Sequence, residues 1–164
     1  MDTRPRGRLR WWIIGSFGLL VIAASQLRLA GQDAARNDAT LVQLERQVNA
    51  FFDGLLAGEA ETAFDSLLSG SPIAARVETV RELKAKANEL ETRYGRHRGF
   101  ERLDTRSVGQ DVMLFRYLFK CENYPVVWHF TYYRVAPSAD ATSSRESWKL
   151  ISLKFDTQLE AAAR

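Results

Sequence analysis

A chain of 164 residues, 46% hydrophobic and 26% charged, suffices for one domain with a real core plus an appendage, and is too apolar for a disordered polymer. Its net charge of +3 is unevenly placed: residues 1–30 hold five arginines against one aspartate, +4, which leaves −1 for the rest. That distribution excludes a general nucleic-acid surface on the domain, and a single cysteine excludes an internal disulfide.

Residues 1–10 form a basic n-region with Arg4, Arg6, Arg8 and Arg10, and residues 11–30 open with the uncharged 14-residue run Trp11–Ala24. Charge followed by an apolar run is the pattern of an export signal or signal anchor. The positive-inside rule holds the arginines in the cytoplasm and sends the following domain across the membrane. Trp11 and Trp12 suit a membrane interface and favour a retained anchor. Peptidase cleavage near Ala23-Ala24-Ser25, releasing a secreted domain, is the alternative. No cysteine follows the run, so lipoprotein processing is excluded. The expected location is membrane-anchored, with the domain outside the cytoplasm, in a periplasmic or other extracytoplasmic space.

Residues 31–37 are small and polar, a linker into a helix capped at Asn37 or Asp38. Leu41, Leu44, Val48, Phe51, Phe52, Leu55 and Leu56 follow helical spacing up to the stop signal Gly58. A shorter helix over Glu59 to Leu68 presents Ala63, Phe64, Leu67 and Leu68. Ser71 caps a third helix with Pro72 at its first position, and Ile73, Val77, Val80, Ala87, Leu90 and Tyr94 give it one apolar stripe until Gly95. The period then changes. Strands are predicted over Phe100–Val108, Val112–Cys121, Val126–Val135 and Ser147–Asp156, with residues 136–146 a polar hairpin tip and 158–164 a tail. The fold class is α+β: three N-terminal helices on a curved four-stranded antiparallel sheet over residues 38–157, preceded by a single transmembrane or signal segment.

Cys121 and His129 lie close in sequence and invite a catalytic reading. A turn at Glu122–Pro125 sets Phe119 against Trp128, Tyr117 against Phe130 and Phe115 against Tyr132. His129 then points to the opposite face from Cys121, out of hydrogen-bond reach, and the dyad fails. Counting on into the last strand, Ile151, Leu153 and Phe155 join the aromatic face, while Trp148, Leu150, Ser152 and Lys154 join the His129 face. The aromatic face should receive the helices. The other carries Leu114, Leu118, Tyr133, Trp148 and Leu150 amid Arg116, His129, Thr131 and Lys154, too many large apolar groups for a purely solvated surface. Leu114, Leu118, His129, Tyr133, Trp148 and Leu150 are therefore the candidate interface, and Trp148→Glu or Leu150→Glu is expected to give a folded monomer. Arg116 is placed to pair with Asp104 across neighbouring strands.

The run FFDGLLAGEAETAFDSLL, a third helix, and a sheet closing in SWKLISLKFD resemble the nuclear-transport-factor-2-like, cystatin-like cone superfamily, in particular its small exported bacterial members. The resemblance spans about residues 38–157. It implies a cone with a pocket between helices and concave sheet, and frequent dimerisation through the sheet's outer surface. Enzymes of the superfamily typically place an Asp–His pair, or a tyrosine with an acid, inside the cone. Here the inward positions offer Tyr117, Cys121, Trp128, Tyr132 and Lys149, with no carboxylate on the last three strands. That points away from acid–base catalysis, so no catalytic residue is assigned. Tyr117, Cys121, Trp128 and Tyr132 are instead the candidate lining of a pocket for a small apolar ligand. The alternative to an interaction module is a small-ligand-binding or, as the resemblance implies, cyclase- or isomerase-like protein using that pocket. No spacing of histidine and cysteine fits a metal, no phosphate-cradling loop occurs, and no cofactor is expected. The expected partners are the membrane, through the N-terminal segment, and a second copy or another protein.

Overall fold

The computed structural model describes residues 38–136 and 147–159. The basic n-region, the apolar segment, the linker, the 137–146 tip and the end of the tail lie outside the described residues. The chain divides between Glu45 and Arg46. Residues 38–45 are helical, and the account below concerns the unit from Arg46 onward.

The first helix of this unit, α1, covers residues 46–56 and stops at Gly58, whose φ of 78° is the left-handed conformation that glycine adopts without strain. Helix α2 (Ala60–Leu68) buries Ala63, Phe64, Leu67 and Leu68, the stripe its spacing announces. Gly54 lets α1 approach α2, because a Cβ there would stand 2.8 Å from the Ala63 Cβ. The third helix is not continuous. A 3-10 turn over Pro72–Ala75 comes first, then α3 (Val77–Asn88) and α4 (Leu90–Tyr94). Arg76, at φ −93° and ψ 70°, leaves helical geometry, and its N–H closes the 3-10 turn on the Ile73 carbonyl. The break shifts the helical phase, so Val77, expected in the apolar stripe, is 68% exposed. Ser71 acts as predicted at the start of this segment: its hydroxyl accepts from the Ile73 N–H at 3.1 Å. It also donates to the Leu150 carbonyl, tying the turn to the last strand.

The four strands β1 (His97–Val108), β2 (Val112–Cys121), β3 (Val126–Val135) and β4 (Ser147–Asp156) form an antiparallel meander in chain order. Three match the expected bounds. β1 starts earlier than predicted because register irregularities at His97/Gly99 and Arg102/Asp104 interrupt its alternation. Between β2 and β3 the observed pairs are Phe119 with Val126, Tyr117 with Trp128 and Phe115 with Phe130, two residues away from the expected register. The loop explains the shift. Glu122 and Asn123 donate their N–H groups back to the Arg96 and Tyr94 carbonyls, and Cys121 pairs with His97 on β1. A shift of two preserves every face, so the aromatic side stays aromatic.

The β3–β4 pairing differs in kind. Thr131 faces Ser152 but Tyr132 faces Leu150, leaving Ile151 as a bulge residue, 40% exposed. Beyond the bulge every β4 side chain changes face. Leu153 and Phe155 lie on the aromatic side as expected, opposite Phe130 and Trp128. Leu150 joins them, opposite Tyr132, and is 2% exposed; Trp148 follows beside Arg134, whose guanidinium lies 6.0 Å from the indole. Placing Leu150 and Trp148 on the outer face is corrected by that single extra residue.

The core is a cluster of rings. Phe51 and Phe52 of α1 reach Trp128 at 5.3 and 5.8 Å, Phe64 of α2 meets Phe51 at 5.1 Å, and Phe155 stacks on Trp128 at 4.3 Å.

Candidate functional site

The inward residues assigned to a ligand pocket are brought to one face, but as core. Tyr117, Cys121, Trp128 and Tyr132 are all buried, and the four main surface hollows of the described residues are lined by other side chains. Phe52 rests on Tyr117 at 5.3 Å and Phe115 on Tyr132 at 5.8 Å, so helix and sheet rings fill the space. Among the described residues the buried Tyr132 hydroxyl and Trp128 indole N–H meet no hydrogen-bond partner, and burial raises the Tyr132 hydroxyl's pKa far above its usual value. A buried hydroxyl that bonds nothing keeps its desolvation cost. Tyr132→Phe is accordingly expected to stabilise the domain by about 1 kcal/mol in urea titration, with no change in slope.

Cys121 does meet a histidine, though not the one the sequence suggested. Its Sγ lies 3.8 Å from Nδ1 of His97, and the His97 ring packs on Phe119 at 4.7 Å. His97 lines a cleft of about 360 Å³ with Glu91, Arg96 and Phe119 at the end of α1, α3 and α4. Its role was hidden because the Gly99 irregularity broke the strand pattern; the only signal was a histidine two residues before a glycine and a strand. Burial is the main cause of both shifts here: it raises the Cys121 thiol, with Glu91 adding to the rise, and lowers the His97 imidazole. Near neutral pH the pair is thiol and neutral imidazole, not the thiolate–imidazolium couple of an activated nucleophile.

The outer face is organised differently. One row crosses all four strands: Asp104 on β1, Arg116 on β2, His129 on β3 and Lys154 on β4, each the register partner of the next. Arg116 donates to Asp104 through Nε at 2.9 Å and Nη2 at 2.6 Å, the pairing its sequence position predicts. That bidentate bond is the main cause holding the Asp104 carboxyl below its ordinary range. His129 Nε2 stands 3.6 Å from Asp156 Oδ2. Burial lowers the His129 pKa; Asp156 opposes this, while Lys154 and Arg116 add to it. The row and its neighbours Arg106, Leu114 and Thr131 line a hollow of about 390 Å³. Of the predicted interface residues, Leu114, Leu118 and His129 are half-buried on this face, Tyr133 is 43% exposed at its end, and Leu150 and Trp148 have left it.

Both histidines of the chain have depressed pKa values, which sets the sign of the acid response. The unfolded imidazole titrates near 6.5, above either folded value, so the unfolded chain binds more protons as pH falls below it. Stability is complete above that pH and declines towards the folded values. Melting temperature should thus fall on acidification from about pH 7.5 to 5.5, and His97→Gln with His129→Gln should flatten the slope. An unchanged slope in the double variant would assign the acid response elsewhere.

Together these features define an α+β domain with one face closed by helices and the other carrying an ordered polar row flanked by leucines. Compared with known proteins, the chain matches no family model, no curated protein and no solved structure. Among the described residues no helix is long and apolar enough to cross a membrane, and no cluster of three metal-ligating side chains occurs.

Proposed function

We propose that the domain is an interaction module of the cone type, held on the outer side of a membrane by its N-terminal segment, that self-associates through the outer sheet face. The observation that carries this reading is the composition of that face: half-buried Leu114 and Leu118 beside an Arg116–Asp104 pair already satisfied within the chain. Covering such a pair leaves no charge unpaired, which avoids the larger cost of burying a lone charge. The basic n-region and the Trp11–Ala24 run supply the membrane part of the reading.

Leu114→Glu tests it. Leu114 is half-buried, so a carboxylate there stays hydrated in the single chain and must lose that water only when the face is covered. The full chain in mild detergent is expected to keep its circular dichroism and weaken self-association at least tenfold, about 1.4 kcal/mol. Self-association at the wild-type level would remove this face from the account. A second reading, a small-ligand binder, draws on the His97 cleft; it requires a retained small molecule in native mass spectrometry that is lost in His97→Ala.

A further inference from the structure

The order of charges along the outer row also selects how two copies meet, an inference that rests on the self-association proposed above. Read from β1 to β4 the row is negative, positive, neutral, positive: Asp104, Arg116, His129, Lys154. A closed face-to-face pair needs a twofold axis, and two orientations in the plane of contact are simple. An axis running across the strands lays the row on itself in the same order, stacking Asp104 on the partner's Asp104 and Arg116 on the partner's Arg116. Like charges brought together in a shielded contact cost several kcal/mol. An axis parallel to the strands, between β2 and β3, reverses the order.

We propose that two copies pack outer face to outer face about this second axis, so that Asp104 of each faces the partner's Lys154, and Arg116 faces the partner's His129. Packed sheets lie about 10 Å apart, within reach of the four-carbon lysine stem, and the hollow along the row leaves room for it. Asp104 has acceptor capacity beyond its two bonds to Arg116, so the incoming ammonium completes the carboxylate rather than competing for it. Lys154 is solvent-exposed in the single chain and gains a partner by pairing. The adjacent row sets Arg106 against the partner's Ser152 and Leu114 against the partner's Thr131, both tolerable. The row on the other side opposes Glu101 to the partner's Asp156; the first axis would stack Glu101 on Glu101 and Asp156 on Asp156, so this row does not choose between the axes, and Lys120 bonds Glu101 within its own chain.

Charge exchange tests the geometry. In the full chain, Lys154→Glu sets a carboxylate against the partner's Asp104 at two equivalent places, and Asp104→Lys sets two ammonium groups together. Each variant alone is expected to self-associate at least tenfold more weakly than wild type, whereas mixing the two restores a mixed dimer, read by native mass spectrometry from its intermediate mass. Should Asp104→Lys misfold beside Arg116, the graded series wild type, Lys154→Ala, Lys154→Glu must still weaken in that order. Self-association in Lys154→Glu equal to wild type overturns this orientation. If Leu114→Glu still disrupts the dimer in that case, the face stands and only the axis is wrong; a wild-type monomer removes both.

Discussion

Phe52→Ala is expected to cost about 3–5 kcal/mol, the usual range for deleting a buried aromatic ring. Phe52 is fully buried and contacts six rings: Phe51, Phe100, Tyr117, Phe119, Trp128 and Phe130, at centroid distances of 4.8 to 5.8 Å. It joins α1 to β1, β2 and β3 at one point. Its neighbours belong to different elements, so they cannot collapse together into the space it leaves. A domain of this size holds about 5–15 kcal/mol in total, so the variant should be partly unfolded at 37 °C or close to it. Urea titration of the full chain reads the effect as a large drop in midpoint. Val77→Ala, at an exposed helix position, should move the midpoint by no more than about 0.5 kcal/mol in equivalent terms. Comparable shifts in the two variants would mean the ring cluster is not the keystone described here.

Leu150→Glu is expected to unfold the domain instead of dissociating it. The pattern of alternation alone puts Leu150 outside, where a glutamate would be harmless to the fold. The bulge at Ile151 turns it inward, opposite Tyr132, at 2% exposure, with its carbonyl held by Ser71. An unpaired carboxylate there costs several kcal/mol even after relaxation. Thermal denaturation followed by circular dichroism separates the outcomes. Loss of the cooperative transition is the expected result, and a folded monomer would return Leu150 to the outer face. Trp148→Glu should behave differently, since Trp148 is half-buried and a carboxylate would meet Arg134.

These two residues show what was legible in the sequence. The apolar stripe of α2, the bounds of β2, β3 and β4, and the inward aromatic set of β2 and β3 follow from periodicity, because each is a local property of the chain. The Asp104–Arg116 pair was also readable, since neighbouring strands of a meander bring opposite charges on one face together. Bulges are not periodic. The extra residue at Ile151 and the irregularity at Gly99 are decided by tertiary contacts: Ser71 gripping the Leu150 carbonyl, and Glu122 and Asn123 bonding back to Arg96 and Tyr94. The first moved Leu150 and Trp148 off the outer face, and the second brought His97 to Cys121. Arg76 broke the third helix for a local reason instead, a 3-10 turn started by Ser71 and Pro72 that the amphipathic stripe ran straight through.

The central claim is that the outer face is a self-associating surface, and sedimentation equilibrium of the unaltered full chain in mild detergent tests it most directly. A dilution series should show twice the chain mass at high micromolar protein, dissociating reversibly towards the single chain on dilution. A single-chain mass at every concentration would contradict the account.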